Sequence, residues 1–144
     1  MQPVKIRIVS SGRNGGETLP AAEQRYSGRL TEKNGKYYAL YEEDGQSGLE
    51  GTRTTLKWDS EQLIIVRSGS VEHRQEFCRG LSSRSVYRTP YLEIPLTTET
   101  SYLYTYFRRG IWRIEAEYKL YHGADIYGEM KILIEIEEDQ QVGH

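Results

Sequence analysis

One cysteine, two phenylalanines, two methionines and four prolines in 144 residues are the scarce components of this chain, and each scarcity excludes something. The lone Cys78 has no partner for an internal disulfide, so nothing points to an oxidising compartment, and no neighbour in the sequence is placed to activate its thiol. The longest purely aliphatic run, Leu63 to Val66, falls far short of the roughly 20 residues of a membrane-spanning helix. The first residues, MQPVKIRIVSSG, alternate apolar with basic side chains and lack the continuous apolar stretch of a secretory signal. These absences predict a cytoplasmic protein with no membrane partner. A formal net charge of −2 leaves no general excess of Lys and Arg to neutralise phosphates, so no nucleic-acid partner is expected. The three histidines, His73, His122 and His144, show no metal-ligand spacing, and there is no Gly-x-Ser-x-Gly and no phosphate-binding loop. No metal, no cofactor and no catalytic residue is assigned.

What the chain does contain is tyrosine, twelve of them, together with Thr, Ile and Val, the residues suited to a pleated, half-buried surface. Nearly every stretch alternates with period two, and none sustains a helical period over 11 or more residues. Strands are predicted near 3–10, 22–32, 36–44, 52–58, 62–68, 71–79, 82–88, 91–98, 101–108, 111–121 and 125–137. Between them stand NGG (14–16), KNGK (33–36), EDGQSGLEG (43–51), DSE (59–61), SGS (68–70), RRG (108–110) and HGA (122–124), rich in the residues that tolerate tight turns. Consecutive strands joined by short turns make an antiparallel meander. So many strands twist and leave open edges unless the sheet closes, which predicts an all-β barrel of about 8–10 strands over residues 1–138, with 139–144 as a flexible tail.

Turn length fixes which alternation faces inward. A three-residue loop at His122-Gly123-Ala124 puts Trp112, Ile114, Ala116, Tyr118 and Leu120 on one face with Ile126, Gly128, Met130, Ile132, Ile134 and Ile136. At Arg109-Gly110 two registers compete. A two-residue loop turns Tyr102, Tyr104 and Tyr106 outward and Leu103, Thr105 and Phe107 inward, and a three-residue loop does the reverse; the lower polarity of the Leu103, Thr105 and Phe107 set favours tyrosines outward. A two-residue turn at Asp59-Ser60 sets Leu56 opposite Leu63, Thr54 opposite Ile65 and Thr52 opposite Arg67. It carries Arg67 inward with the apolar residues.

An interior Arg keeps its charge and needs an anion or several acceptors. A salt bridge at the barrel mouth satisfies that need. So does an anionic or carbonyl-bearing ligand held by Arg67 above an aromatic floor of Trp112 and Tyr118. Thr52, Thr54 and Glu76 complete the candidate ligand-binding set, with Glu72 as a second carboxylate.

The stretches GKYYALYEEDGQSGLEGTRTTLKW (35–58), LIIVRSGSVEHRQEF (63–77), YRTPYLEIPLTT (87–98), GIWRIEAEYKLYHG (110–123) and MKILIEI (130–136), in that order, resemble the YwiB-like family of uncharacterised bacterial β-barrel proteins. The likeness runs along nearly the whole chain. It implies a lipocalin-like, or calycin-like, barrel in the bacterial cytoplasm and brings no catalytic residues with it. Leu92-Glu93 stands after TPY where a glycine is expected in that family, and the Gly-x-Trp of secreted lipocalins is missing from the first strand.

Three functional expectations follow. The leading one is a barrel that binds a small anionic or aromatic molecule in its lumen, which requires a cavity of roughly 300 Å³ or more. The second is a protein-interaction or assembly module, such as a homodimer through exposed Tyr102, Tyr104 and Tyr106. The third is a small acid-base enzyme using Arg67 with Glu76 or Glu72 in an apolar lumen.

Overall fold

The computed structural model describes residues 1–139 as ten strands: β1 (Gln2–Asn14), β2 (Glu17–Lys33), β3 (Lys36–Glu42), β4 (Thr52–Trp58), β5 (Gln62–Gly69), β6 (His73–Cys78), β7 (Ser82–Arg88), β8 (Glu93–Arg108), β9 (Ile111–His122) and β10 (Asp125–Glu138). They form one antiparallel sheet in the order β6-β5-β4-β3-β2-β1-β10-β9-β8-β7. Each strand pairs with its neighbour in sequence except at two places. β1 and β10 lie side by side in the middle of the order, with Val4 opposite Glu138, and β6 and β7 form the two edges.

The sheet curls until those edges meet, giving a nearly closed barrel. At one end of the seam Glu72 and Arg88 exchange backbone hydrogen bonds of 2.9 Å; at the other, Gly80 N–H donates to Thr100 O (2.8 Å) and Thr100 N–H to Leu81 O (3.1 Å). Side chains bridge the space between. His73 Nε2 lies 2.8 Å from Ser85 Oγ, Gln75 Nε2 donates to Thr98 Oγ1 at 3.0 Å, and Ser83 Oγ donates to Glu76 Oε2 at 3.4 Å.

Alternation places the core. Val4, Ile6 and Ile8 of β1, Leu56 and Trp58 of β4, Leu63 and Ile65 of β5, Phe77 of β6, Leu103 of β8, Ile114 and Ala116 of β9, and Ile132, Ile134 and Ile136 of β10 pack as one buried cluster. Each fully buried large aliphatic or aromatic side chain contributes about 1.5–3 kcal/mol relative to exposure. Opposite faces carry charge: Arg113 Nη2 pairs with Glu135 Oε2 at 2.8 Å on the outside of β9 and β10, and Arg7 of β1 joins the same carboxylate and Glu23 of β2. The acidic C-terminal strand is thus partnered by arginines on neighbouring strands. Among the described residues no helix is long and apolar enough to cross a membrane.

Arg108 pairs with Ile111, so Arg109 and Gly110, both at positive φ (56° and 79°), form the two-residue turn that suits hairpin twist. Phe107, Thr105 and Leu103 therefore oppose Trp112, Ile114 and Ala116, and Tyr102, Tyr104 and Tyr106 point outward. Elsewhere the registers differ from expectation. The predicted strands 91–98 and 101–108 are one strand, because a bulge at Ser101 absorbs the irregularity without breaking β8. The turn after β4 holds four residues, not two. Asp59 Oδ1 accepts the N–H groups of Glu61 (2.8 Å) and Gln62 (3.0 Å), and the ladder starts at Trp58 opposite Leu63. At the last hairpin the loop is Gly123-Ala124 and a bulge at Tyr127 restores the even-to-even pairing, which leaves Ile126 exposed. β2 runs through Pro20, where a third register shift spares the missing N–H a ladder position. Asp139 N–H donates to Pro3 O at 2.9 Å, so pairing continues into the first residue of the predicted tail; 140–144, with His144, lie outside the described residues.

Candidate functional site

The end of the barrel where β3 finishes and β4 begins holds a partly open cavity of about 260 Å³. Its wall is aliphatic over Ile8, Leu56, Ile65, Ile132 and Ile134 and polar over Ser10, Gln24, Glu43, Arg67, Gln75 and Tyr118. Ser47 and Leu49, from the connection 44–51, also line it. Gln46 anchors that connection to β2: its Nε2 donates to Arg25 O at 2.9 Å and its Oε1 accepts Arg25 N–H at 3.0 Å.

Arg67 enters the lumen because the longer turn after β4 shifts β5 by two residues, which preserves the face. Its cross-strand partner is Thr54, with Ile65 opposite Leu56 and Gly69 opposite Thr52. Glu43 belongs to the same alternation as Ala39 and Tyr41 and is buried beside it. Glu43 Oε1 accepts the Tyr26 hydroxyl at 3.0 Å, Oε2 accepts the Thr54 hydroxyl at 2.5 Å, and Oε2 stands 3.9 Å from Arg67 Nε. That last distance is an ion pair without a hydrogen bond. Arg67 Nε is buried and has no acceptor among the described residues.

The surrounding groups are held neutral. Burial, with help from the Glu43 charge, raises the Tyr26 phenol to about 12 and Tyr41 further above its ordinary value, and the two rings stack at 4.3 Å. Burial also raises Tyr118, partly offset by the Arg67 charge, and its ring meets Phe77 edge-on at 4.9 Å. His73, opposite Arg67 on β6, is pushed down to about 4 by burial and then by the Arg67 charge. An imidazole there stays uncharged near neutrality.

Of the predicted binding residues, Arg67 and Tyr118 line the cavity together. Thr54 acts behind it, as a donor to Glu43; Thr52, fully buried, accepts the Val71 N–H at 3.3 Å and so fixes the turn between β5 and β6. Trp112 is not its floor. With Tyr37, Trp58 and Phe107 it forms an aromatic plug at the opposite end, ring centroids 4.4 to 5.7 Å apart, because its height along β9 places it beside the β8–β9 turn. Glu76 faces outward opposite Ile64, where it meets Ser83 and Arg74, and Glu72 is exposed at the seam. Neither reaches Arg67; the lumenal carboxylate is Glu43. The run Glu42-Glu43-Asp44 has the composition of a turn, yet counting by twos from Tyr41 puts Glu43 inward. Among the described residues no group of three or more His, Cys, Asp or Glu is placed to hold a metal ion.

A ten-stranded antiparallel, nearly closed barrel with a partly polar lumen defines the class to which this molecule belongs, that of small β-barrel proteins. The chain belongs to the family described as a domain of unknown function (DUF1934), which matches residues 6–134. It is similar to the uncharacterized β-barrel protein YwiB of Bacillus subtilis (strain 168), with 26% identity over 123 residues, covering 85% of this chain and 84% of that protein. The crystal structure of the B. subtilis YwiB protein superposes with a TM-score of 0.85 over 96% of this chain and 93% of that one, at 24% identity.

Proposed function

We propose that the barrel binds a small polar molecule in its lumen, with Arg67 as the anchoring group. The observation that carries this reading is a cavity of about 260 Å³ with the charged Arg67 side chain in its wall, whose buried Nε–H has no acceptor among the described residues. The space falls a little short of the roughly 300 Å³ expected of a ligand-binding lumen. Buried polar groups left without partners are costly, so a ligand that supplies an acceptor gains from a site already built. The lone Cys78 suits work in a reducing cytoplasm. Mass spectrometry of the native protein purified without additives, beside Arg67→Gln, tests the reading: a bound small molecule retained by the wild type and lost from the variant supports it. An empty lumen in both, with no small metabolite protecting Arg67 variants and wild type differently against heat, would remove it.

A second reading is favoured by the outward phase of Tyr102, Tyr104 and Tyr106. Tyr104 is 48% exposed, stacks on Tyr102 at 6.5 Å and lies tilted against Tyr106 at 5.0 Å, making a surface on which a second copy of the chain would pack. Sedimentation of wild type and Tyr104→Ser distinguishes this: a dimer weakened by the substitution supports assembly, and a monomer at high concentration excludes it.

A further inference from the structure

We infer that the lumen recognises a zwitterion, an α-amino acid with an aliphatic side chain, whose carboxylate lies on Arg67 and whose ammonium lies on Glu43. This rests on the lumen being a binding site and names its ligand class.

Charge balance is the first reason. Glu43 and Arg67 are the two charged groups among the described residues that line the cavity, and they cancel. A ligand carrying one charge would leave an uncompensated ion in a wall made otherwise of aliphatic and neutral polar groups, whereas a zwitterion leaves none.

Unused hydrogen-bonding capacity is the second. A carboxylate offers about four lone-pair sites, and Glu43 uses one on each oxygen, for Tyr26 and for Thr54. Among the described residues Arg67 Nε has no acceptor. Both residues line the cavity, and the pair therefore places an acceptor and a donor with spare capacity beside it, oriented by neighbours yet not closed on each other at 3.9 Å.

Spacing is the third. In an α-amino acid the nitrogen and the carboxyl carbon are about 2.5 Å apart across two bonds. Antiparallel alignment of such a short dipole with the Glu43–Arg67 dipole brings each ligand charge against its opposite, which a longer ω-amino acid cannot do without folding back. Leu56, Ile65, Ile132 and Ile134 then face the side chain, which favours one the size of leucine.

Titration calorimetry of the full-length protein at pH 7 tests this with leucine, 4-methylpentanoate, which lacks the ammonium, and 3-methylbutylamine, which lacks the carboxylate. Leucine is expected to bind at least about tenfold tighter than either, the scale of one charge-assisted hydrogen bond. Glu43→Gln is expected to erase the preference for leucine over 4-methylpentanoate, an effect that a purely structural Glu43 would not produce. Ile65→Trp, which fills the cavity, is expected to abolish binding; Ile134→Phe supplies the same obstruction from β10 if the first variant does not fold. Equal or tighter binding of 4-methylpentanoate, abolished by Ile65→Trp, overturns the zwitterion and keeps the lumen. Leucine heat unchanged in both cavity-filling variants overturns both readings. No leucine binding up to about 10 mM, several orders weaker than a typical specific site, overturns the amino acid while the mass-spectrometric test decides the lumen separately.

Discussion

Gln75 and Thr98 join two strands that share no backbone ladder: Gln75 Nε2 donates to Thr98 Oγ1 at 3.0 Å across the barrel seam, with both residues buried. Removing one partner strands the other in a buried site. Gln75→Leu and Thr98→Val are each expected to cost about 1–3 kcal/mol, and the double variant less than their sum. Urea unfolding of the four proteins measures the coupling, and strict additivity would show that the seam does not depend on this bond.

Glu43 and Arg67 are expected to behave unequally. Glu43→Ala deprives Tyr26 and Thr54 of their shared acceptor and the guanidinium of its counter-charge, and is expected to cost about 3–5 kcal/mol. Arg67→Ala is expected to cost less, about 1–3 kcal/mol, because its side chain keeps 22% exposure against 2% for Glu43. Thermal denaturation ranks the two, and the reverse order would contradict the burial.

His73 gives stability a specific pH dependence. Its folded value is depressed to about 4 by burial and by Arg67, so the unfolded chain binds this proton more readily than the folded one. The contribution is complete above about pH 6.5, declines as pH falls toward about 4, and amounts to about 2–3 kcal/mol over that window. The difference in urea midpoint between wild type and His73→Gln, followed from pH 7 to pH 4, is expected to shift in favour of the variant; parallel profiles would show that the ring is not buried neutral.

Gly69 and Gly123 both occupy positive φ, at 120° and 63°, but in different surroundings. A Cβ at Gly69 would sit 2.3 Å from Gly51 O, whereas at Gly123 it meets nothing within 4 Å. Gly123→Ala is expected to cost about 1–2 kcal/mol from backbone conformation alone, and Gly69→Ala about 3 kcal/mol or more. Similar losses in a denaturant titration would argue against close approach of β4 and β5 at that point.

Gln46 holds the connection 44–51 against β2 with two hydrogen bonds. Gln46→Ala is expected to speed amide exchange at Ser47 and Leu49 by about 5–30-fold, the equivalent of 1–2 kcal/mol, while leaving exchange in the core strands unchanged. Unaltered exchange in the connection would mean that other contacts fix it.

The alternation of single residues made the barrel legible and also bounded what could be read. Period two fixes the face of a side chain, and a turn misjudged by two residues leaves that face unchanged, which is why Arg67 is inside although its partner is Thr54 instead of Thr52. Period two says nothing about height along the barrel, so Trp112 faces inward but belongs to the plug at the far end. The adjacent strand offers Arg67 the carboxylates Glu72 and Glu76 in one register and His73 and Gln75 in the other; the structure brings His73 opposite Arg67, and the acidic partner is Glu43, in a charged run with the composition of a turn. The bulges at Ser101 and Tyr127 carry no sequence signal strong enough to foresee, and they decide that β8 is continuous and that Ile126 is outside.

The pairing of β1 with β10 sets an order of events on the ribosome. Residue 4 waits for residue 138, so the inner edge of β1 stands open while the rest of the barrel is being synthesised. Distant pairings of this kind close slowly and leave a template for mispairing in the meantime. Lys5, Arg7 and Arg13, the basic residues spaced along that waiting edge, would keep nascent chains apart until β10 arrives.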